Sequence, residues 1–469
     1  MMRGSIHPAR LTRSWRARLL AAALLLSVVP VAGCTGSSGT TAHGAATASG
    51  AATPAGVGLD CLLPPASCYA PHVFQVAYGI RPLLDRGIDG RGETMTVLEP
   101  GPSSAAPFTL PPGVTPSPGQ APPASTDIRQ DLTAFDSMFG LPAARIQVVT
   151  TLAGPGSPWQ AGEEEVQDTE MVHAAAPAAT LRVVLLPSNV LQNAATAAAD
   201  MIAGLRLAVS GTDVASISWS LGEHFFTTAQ AAQLNSVLAG AAARHVTVVA
   251  TSGDNGAFSD AWFGGTPAKE ASLPASDPLV LAAGGTTLTA DPFTGAYISE
   301  TAWNGQAGPS QAPGASGGGF SHLYARPAYQ DGVPGTGAMR GVPDVAADAD
   351  QQGGSPVVLT GGGKTWITSA GGTSGSAPLW AGLIALADQD AHHDLGSVNP
   401  AIYRIARSSS YHQAFHDITT GSNIQTMPYP GGTAGWQAAP GWDPVTGWGS
   451  PDAQVLVPLL ARLTSPSTR

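Results

Sequence analysis

The sequence predicts an α/β fold, a mostly parallel sheet with helices on both faces, and three observations carry that expectation. Short apolar runs alternate with helix-like segments through residues 92–286. The runs are too short for helices and are bounded by turn residues, the pattern of strands connected through amphipathic helices. The chain has 469 residues, 43% of them hydrophobic, enough for a large core in one big domain or two. In order, "GETMTVLEP" reads as the first strand, followed by a Pro-rich excursion at residues 101–125 whose length nothing in the sequence explains. "DIRQDLTAFDSMFGL" then reads as helix, "ARIQVVTTL" as strand, "EEEVQDTEMVHAAA" as helix and "ATLRVVLLP" as strand. The helix "NAATAAADMIAGLRLAV", strand "VASISWS", helix "TAQAAQLNSVLAGAAARH" and strands "VTVVATSG" and "PLVLAAGGT" continue the series. Binding and catalytic residues in such sheets gather at the carboxyl ends of the strands.

The first 33 residues run from an arginine-rich head through an apolar stretch at residues 19–31 into small residues, the layout of an export signal. Its end, "VAGC", resembles a bacterial lipobox, which makes Cys34 the lipidated first residue of the mature protein and gives it a membrane anchor rather than a span. The alternative is an ordinary secretory signal with an incidental cysteine. Residues 34–60 are small and polar, a flexible tether. With Cys34 set aside, Cys61 and Cys68 form an even pair close in sequence in an exported chain, read as a local disulfide, the alternative being two free thiols.

Charge narrows the partners. Only 11% of residues are charged and only Lys269 and Lys364 are lysines, so no basic patch speaks for nucleic acid. Removal of residues 1–33 takes five arginines and no acid, lowering the basic residues from 21 to 16 against 32 acidic ones. Such a surface repels anions at neutral pH and loses its charge in acid, which is compatible with acidic surroundings.

Chemistry-bearing residues lie at four places. "GGTSGSAPLWAGL" (371–383) sets Ser374 and Ser376 in a small-residue turn that opens onto a helix, a geometry that suits a nucleophile and equally an ordinary loop-to-helix join. A serine hydroxyl needs a base oriented by a third group. No histidine segment supplies one, and His173, in an alanine-rich stretch, reads as a helix-packing residue. Glu164 and Asp168 are four apart and share one helix face; two carboxylates that close resist joint ionisation, so one stays protonated into higher pH. A solvated acidic helix start explains the same glutamates. In "VVATSGDNGAF" a strand delivers Asp254 into a Gly-rich turn, where a protonated acid can donate to a developing oxyanion.

Taken together, these pieces resemble the sedolisin family of serine-carboxyl peptidases. The resemblance rests on "AYGIRPLLDRGIDGRG" (77–92), on Glu164 and Asp168 followed by "HAAAPAA", on "SGDNG", and on "GTSGSAP", and it runs from residue 61 to residue 451. It implies a subtilisin-like fold, with a peptidase domain over residues 61–465. It also implies Ser374 as nucleophile, Glu164 as general base, Asp168 as its orienting partner, and Asp254 in the oxyanion hole. Protein or peptide substrates, acid dependence and a monomer are the corresponding expectations. The competing reading is a lipid-anchored protein that keeps the fold and binds peptides without turnover.

Near the carboxyl end, Asp417 and Asp443 are flanked by turn-forming glycines and suit a hard cation as well as they suit two Asx turns. The resemblance implies one structural Ca2+ here, held by the side chains of Asp417 and Asp443 and by the carbonyls of Ile418, Ala439 and Gly441. Ala439 replaces the family's usual glycine, and a carbonyl serves from either residue. The long folded pro-domain usual in the family is expected to be absent, since only the tether separates Cys34 from the domain.

Overall fold

The computed structural model describes residues 68–100, 127–150, 162–187, 190, 193–259, 268–305, 314–361, 363–426 and 432–464. The export signal, the tether, Cys34, Cys61 and the Pro-rich excursion lie outside the described residues. Among the described residues no helix is long and apolar enough to cross a membrane.

The elements that build the domain are α1 (Pro71–Ala77), β1 (Thr94–Pro100), α2 (Ile128–Phe139), β2 (Arg145–Thr150), α3 (Glu163–Ala175), β3 (Thr180–Leu186), α4 (Ala197–Ala208), β4 (Val214–Ile217), α5 (Thr228–Ala242) and β5 (Thr247–Thr251). After these come β6 (Leu281–Ala290), β7 (Tyr297–Ala302), β8 (Val345–Asp348), the hairpin β9 (Ser355–Gly361) and β10 (Lys364–Ala370), α6 (Thr373–Ala391) and α7 (Ala453–Thr464). Strands β8-β6-β5-β4-β1-β3-β2 lie side by side, all parallel, and β7 adds antiparallel to β6. This is the expected subtilisin-like α/β architecture.

Each strand serves two cores because successive side chains point to opposite faces. In β1, Met95 and Val97 join the core beneath α3, α6 and α7, while Leu98 joins the core beneath α4 and α5. Glu99 therefore leaves the strand on the α3/α6 side, at its carboxyl end. By the same alternation Val249 of β5 faces α6, and Thr251, two residues on, follows it.

Helix α6 is buried along nearly its whole length and runs beside α3. Trp380, fully buried, donates its indole N–H to Ala346 O of β8 at 2.9 Å, which fixes the helix against the sheet. The closest approach of α3 and α6 requires Gly382: a Cβ there would lie 2.4 Å from the Cβ of Ala175. Gly382→Ala is accordingly expected to lower stability by about 1–3 kcal/mol for the overpacking, offset by up to about 1 kcal/mol of helix propensity. Urea denaturation measures the net loss; a gain in stability would contradict the tight contact.

Candidate active site

The acids of α3 divide their labour. Glu163 is exposed; Glu165 is buried and its Oε2 accepts from Gly162 N–H at 2.6 Å, closing the helix start. Glu164 is exposed and carries a side-chain hydrogen bond with Ser374. One turn on, Asp168 is 0% exposed; its Oδ2 accepts from Ser218 Oγ, just beyond β4, and its carboxyl pairs with that of Glu99. Two carboxyl groups bond to each other only when one carries a proton. Glu99 is itself fully buried, and among the described residues no other side chain or backbone group bonds its oxygens. Asp168 acts on Glu164 through its charge and Glu164 bonds Ser374, so the acids lead from the end of β1 toward the start of α6.

Among the described residues no basic side chain forms an ion pair with these acids. Burial first, then the charge and contact of Asp168, hold Glu99 well above the usual carboxylate range. Burial pushes Asp168 up to about 7, against the hydrogen bonds from Glu99 and Ser218 that favour its charge. For Glu164, the surrounding protein and the Asp168 charge push upward and the Ser374 hydrogen bond pulls down. Its exposure to water softens that push. The acids titrate as a unit, and Ser374 favours the negative charge on Glu164.

Local backbone presents the serine. Gly372, at φ +88°, turns the chain into α6; a Cβ there would meet Asp254 Oδ2 at 2.6 Å. Asp254 Oδ1 accepts from Thr373 N–H at 2.8 Å and from Thr373 Oγ1 at 2.7 Å, tying the Gly-rich turn after β5 to the helix start. Thr251 Oγ1 also meets Thr373 Oγ1. Gln167 Nε2 donates to Gly371 O at 3.2 Å, so α3 holds the turn that carries Ser374 as well as its acid partner. Ser374 is 6% exposed and reaches Glu164, whereas Ser376 is sealed in the interior with no partner for its Oγ. The two serines that look alike in sequence are therefore physically different. His173 is buried with Nε2 2.9 Å from Asp136 and 3.0 Å from Pro142 O, as a packing residue.

Glu99, Ser218 and Thr251 are the partners that sequence reasoning missed. The one available signal was a glutamate inside an apolar strand, at the carboxyl end of β1.

At the carboxyl end of the chain, Asp417 and Asp443 converge on one loop. Gly441 N–H donates to both oxygens of Asp417, at 3.0 and 3.2 Å, and Ala439 N–H to Asp443 Oδ2 at 2.9 Å. Asp443 Oδ1 accepts from Val445 N–H at 2.8 Å and Thr446 N–H at 2.9 Å. Burial pushes Asp443 up to about 6. Among the described residues neither aspartate forms an ion pair with a basic side chain. Two uncompensated carboxylates facing one loop, with the carbonyls of Ile418, Ala439 and Gly441 in the same segments, are a donor set that fits a hard divalent cation.

Known proteins place the chain in a family. Residues 161–427 match the subtilase family, and the chain belongs to that family. Within it the chain is similar to members of the sedolisin family. It is 37% identical to kumamolisin of Bacillus sp. (strain MN-32) over 300 residues, 62% of this chain and 49% of the relative. It is 31% identical to sedolisin of Pseudomonas sp. (strain 101) over 333 residues, 69% and 54%. The chain spans about half the length of these curated relatives. Among solved structures, Pseudomonas sedolisin, a serine-carboxyl proteinase complexed with two molecules of pseudo-iodotyrostatin, superposes with a TM-score of 0.64 at 25% identity, covering 84% of this chain and 97% of that one.

The buried acids set a pH dependence of stability. An unfolded aspartate or glutamate releases its proton near pH 4, whereas Asp168 in the fold holds its proton to about 7. Across that window the native state binds more protons, so this contribution is present in full below about pH 4 and is lost as pH rises toward 7. Ser374→Ala protein in saturating calcium is expected to lose urea resistance between those limits, and adding Glu99→Gln is expected to reduce the loss. An identical pH dependence with and without Glu99 would contradict the coupling.

Proposed function

We propose that this chain is an exported, acid-acting serine-carboxyl peptidase that cleaves peptide bonds through an acyl-enzyme on Ser374. The observation that carries the proposal is the hydrogen bond between Ser374 and Glu164, backed by the line of acids behind it. Ser374 Oγ attacks the substrate carbonyl carbon as its proton passes to Glu164. Asp168, held by Ser218 and sharing a proton with Glu99, orients Glu164 and steadies its change of charge. Asp254, in its carboxylic acid form and fixed by Thr373, donates to the oxyanion. Glu164 then protonates the leaving amine, and water, deprotonated by the same carboxylate, releases the acyl group. Acid conditions suit this machinery, because Asp254 must carry a proton to act as a donor.

The remaining assignments follow from the sequence. Residues 1–33 serve as a lipoprotein-type signal and Cys34 as the anchor on the outer face of the membrane. Residues 34–60 are the tether and 61–465 the peptidase domain. Cys61 is proposed to pair with Cys68, which is disulfide-bonded. A calcium ion on Asp417 and Asp443, with carbonyls of Ile418, Ala439 and Gly441, would hold the last loop to the core without entering the chemistry.

Hydrolysis of a denatured protein substrate, followed from acidic to neutral pH, tests the reading. Activity is expected in acid and should fall on the order of 10³-fold or more in Ser374→Ala. Asp254→Ala is expected to lose about 10²–10³-fold in kcat, and Asp254→Asn, which keeps a donor, less. No cleavage at any pH by folded, calcium-loaded protein would instead favour the peptide-binding alternative. For the calcium site at Asp417 and Asp443, chelation is expected to lower the thermal midpoint of the parent by more than that of Asp443→Asn; scanning fluorimetry decides, and equal losses in both would contradict the assignment.

A further inference from the structure

A second group of acids lies at the opposite edge of the sheet from Ser374. Glu93 immediately precedes β1, Asp388 sits in the last turns of α6, and Asp394 follows in the turn after that helix. Their carboxylate oxygens come within 4.8 Å of one another. Asp213, just before β4, lies close enough to add its charge, and its Oδ2 accepts from Thr94 N–H at 2.7 Å.

Asp388 distinguishes this group from a solvated acidic patch. It is 0% exposed. Its Oδ1 accepts from Leu395 N–H at 2.9 Å, which accounts for that oxygen as a clasp on the turn. Oδ2 is buried and, among the described residues, has no hydrogen-bond partner. A carboxylate oxygen withdrawn from water without a donor carries a substantial desolvation penalty. Among the described residues no lysine or arginine pairs with Glu93, Asp213, Asp388 or Asp394. Among the described residues, the basic groups that act on Asp394 are the imidazoles of His245 and His393.

We propose that Glu93, Asp388 and Asp394 form a second cation site, which takes a hard divalent ion, calcium, through carboxylate oxygens. Two oxygens bound at about 2.4 Å on opposite sides of one ion are about 4.8 Å apart, so a single calcium can bridge the whole group. The carboxyl end of α6 adds its negative dipole end to the attraction. The ion would clasp the entry to β1, the end of α6 and the 392–396 turn. Ser374 lies about 21 Å away along the same helix, at 1.5 Å per residue, so the ion's role is to anchor that helix. The site does not depend on the peptidase reading or on the ion at Asp417 and Asp443.

Equilibrium dialysis of the full chain against calcium at neutral pH, with metal counted per chain, tests it. The parent is expected to hold two ions and Asp443→Asn one. Adding Glu93→Gln, at the half-buried member, should remove that remaining ion or weaken it by about tenfold or more; Asp388→Asn should do the same, and circular dichroism verifies that each variant is folded. A parent that binds one ion, lost in Glu93→Gln and kept in Asp443→Asn, would support this site and sink the other. Loss of all calcium in Asp443→Asn, or retention of its remaining ion when Glu93 is replaced, would overturn the proposal and leave protons as the occupants of the cluster.

Discussion

The candidate active site depends on a proton held between two buried carboxyl groups. Glu99 and Asp168 meet in the interior with no cation among the described residues to neutralise them, so the pair persists only while at least one is protonated. From that pair the line continues through Glu164 to Ser374. A histidine base gains a positive charge when it takes a proton. In the proposed mechanism the base begins negative and becomes neutral, so the surroundings need no counter-anion, only a position that tolerates a carboxylic acid. Ser218 and Glu99 supply that position around Asp168.

The fold delivers this chemistry by bringing strand ends and helix starts to one edge. Parallel strands place Glu99, Ser218 and the turn carrying Asp254 at the same edge, and α3 and α6 begin there. Gly382 lets the two helices approach. Gln167 and Thr373 then lock the serine-bearing turn to α3 on one side and to Asp254 on the other. At the opposite edge the acids around Asp388 face the same difficulty of uncompensated negative charge, and a cation resolves it where a shared proton serves near Ser374.

Much of this was legible in sequence because it is local. The strands announced themselves as short apolar runs, and the i, i+4 spacing put Glu164 and Asp168 on one helix face. Spacing could not say which of the three consecutive glutamates meets Ser374; Glu165 takes the capping role that an acidic helix start suggests, leaving Glu164 free for Ser374. Nor could it separate Ser374 from Ser376, whose difference is burial. Glu99 and Ser218 read as ordinary strand-end residues because their meaning comes from parallel pairing of segments far apart in the chain. Glu93, Asp388 and Asp394 stayed hidden for the same reason, the helix end and the strand entry being separated by nearly 300 residues.

Infrared difference spectroscopy of the buried carboxyl groups addresses the shared proton most directly. Spectra of Ser374→Ala protein are taken as pH is raised from about 4 to about 7, with and without Glu99→Gln and Asp168→Asn. A protonated carboxyl band that survives to near neutral pH and is lost or shifted by either substitution is the predicted result. If every carboxyl band disappears in the range of unperturbed acids, near pH 4, no proton is held between Glu99 and Asp168, and the account of the site is wrong.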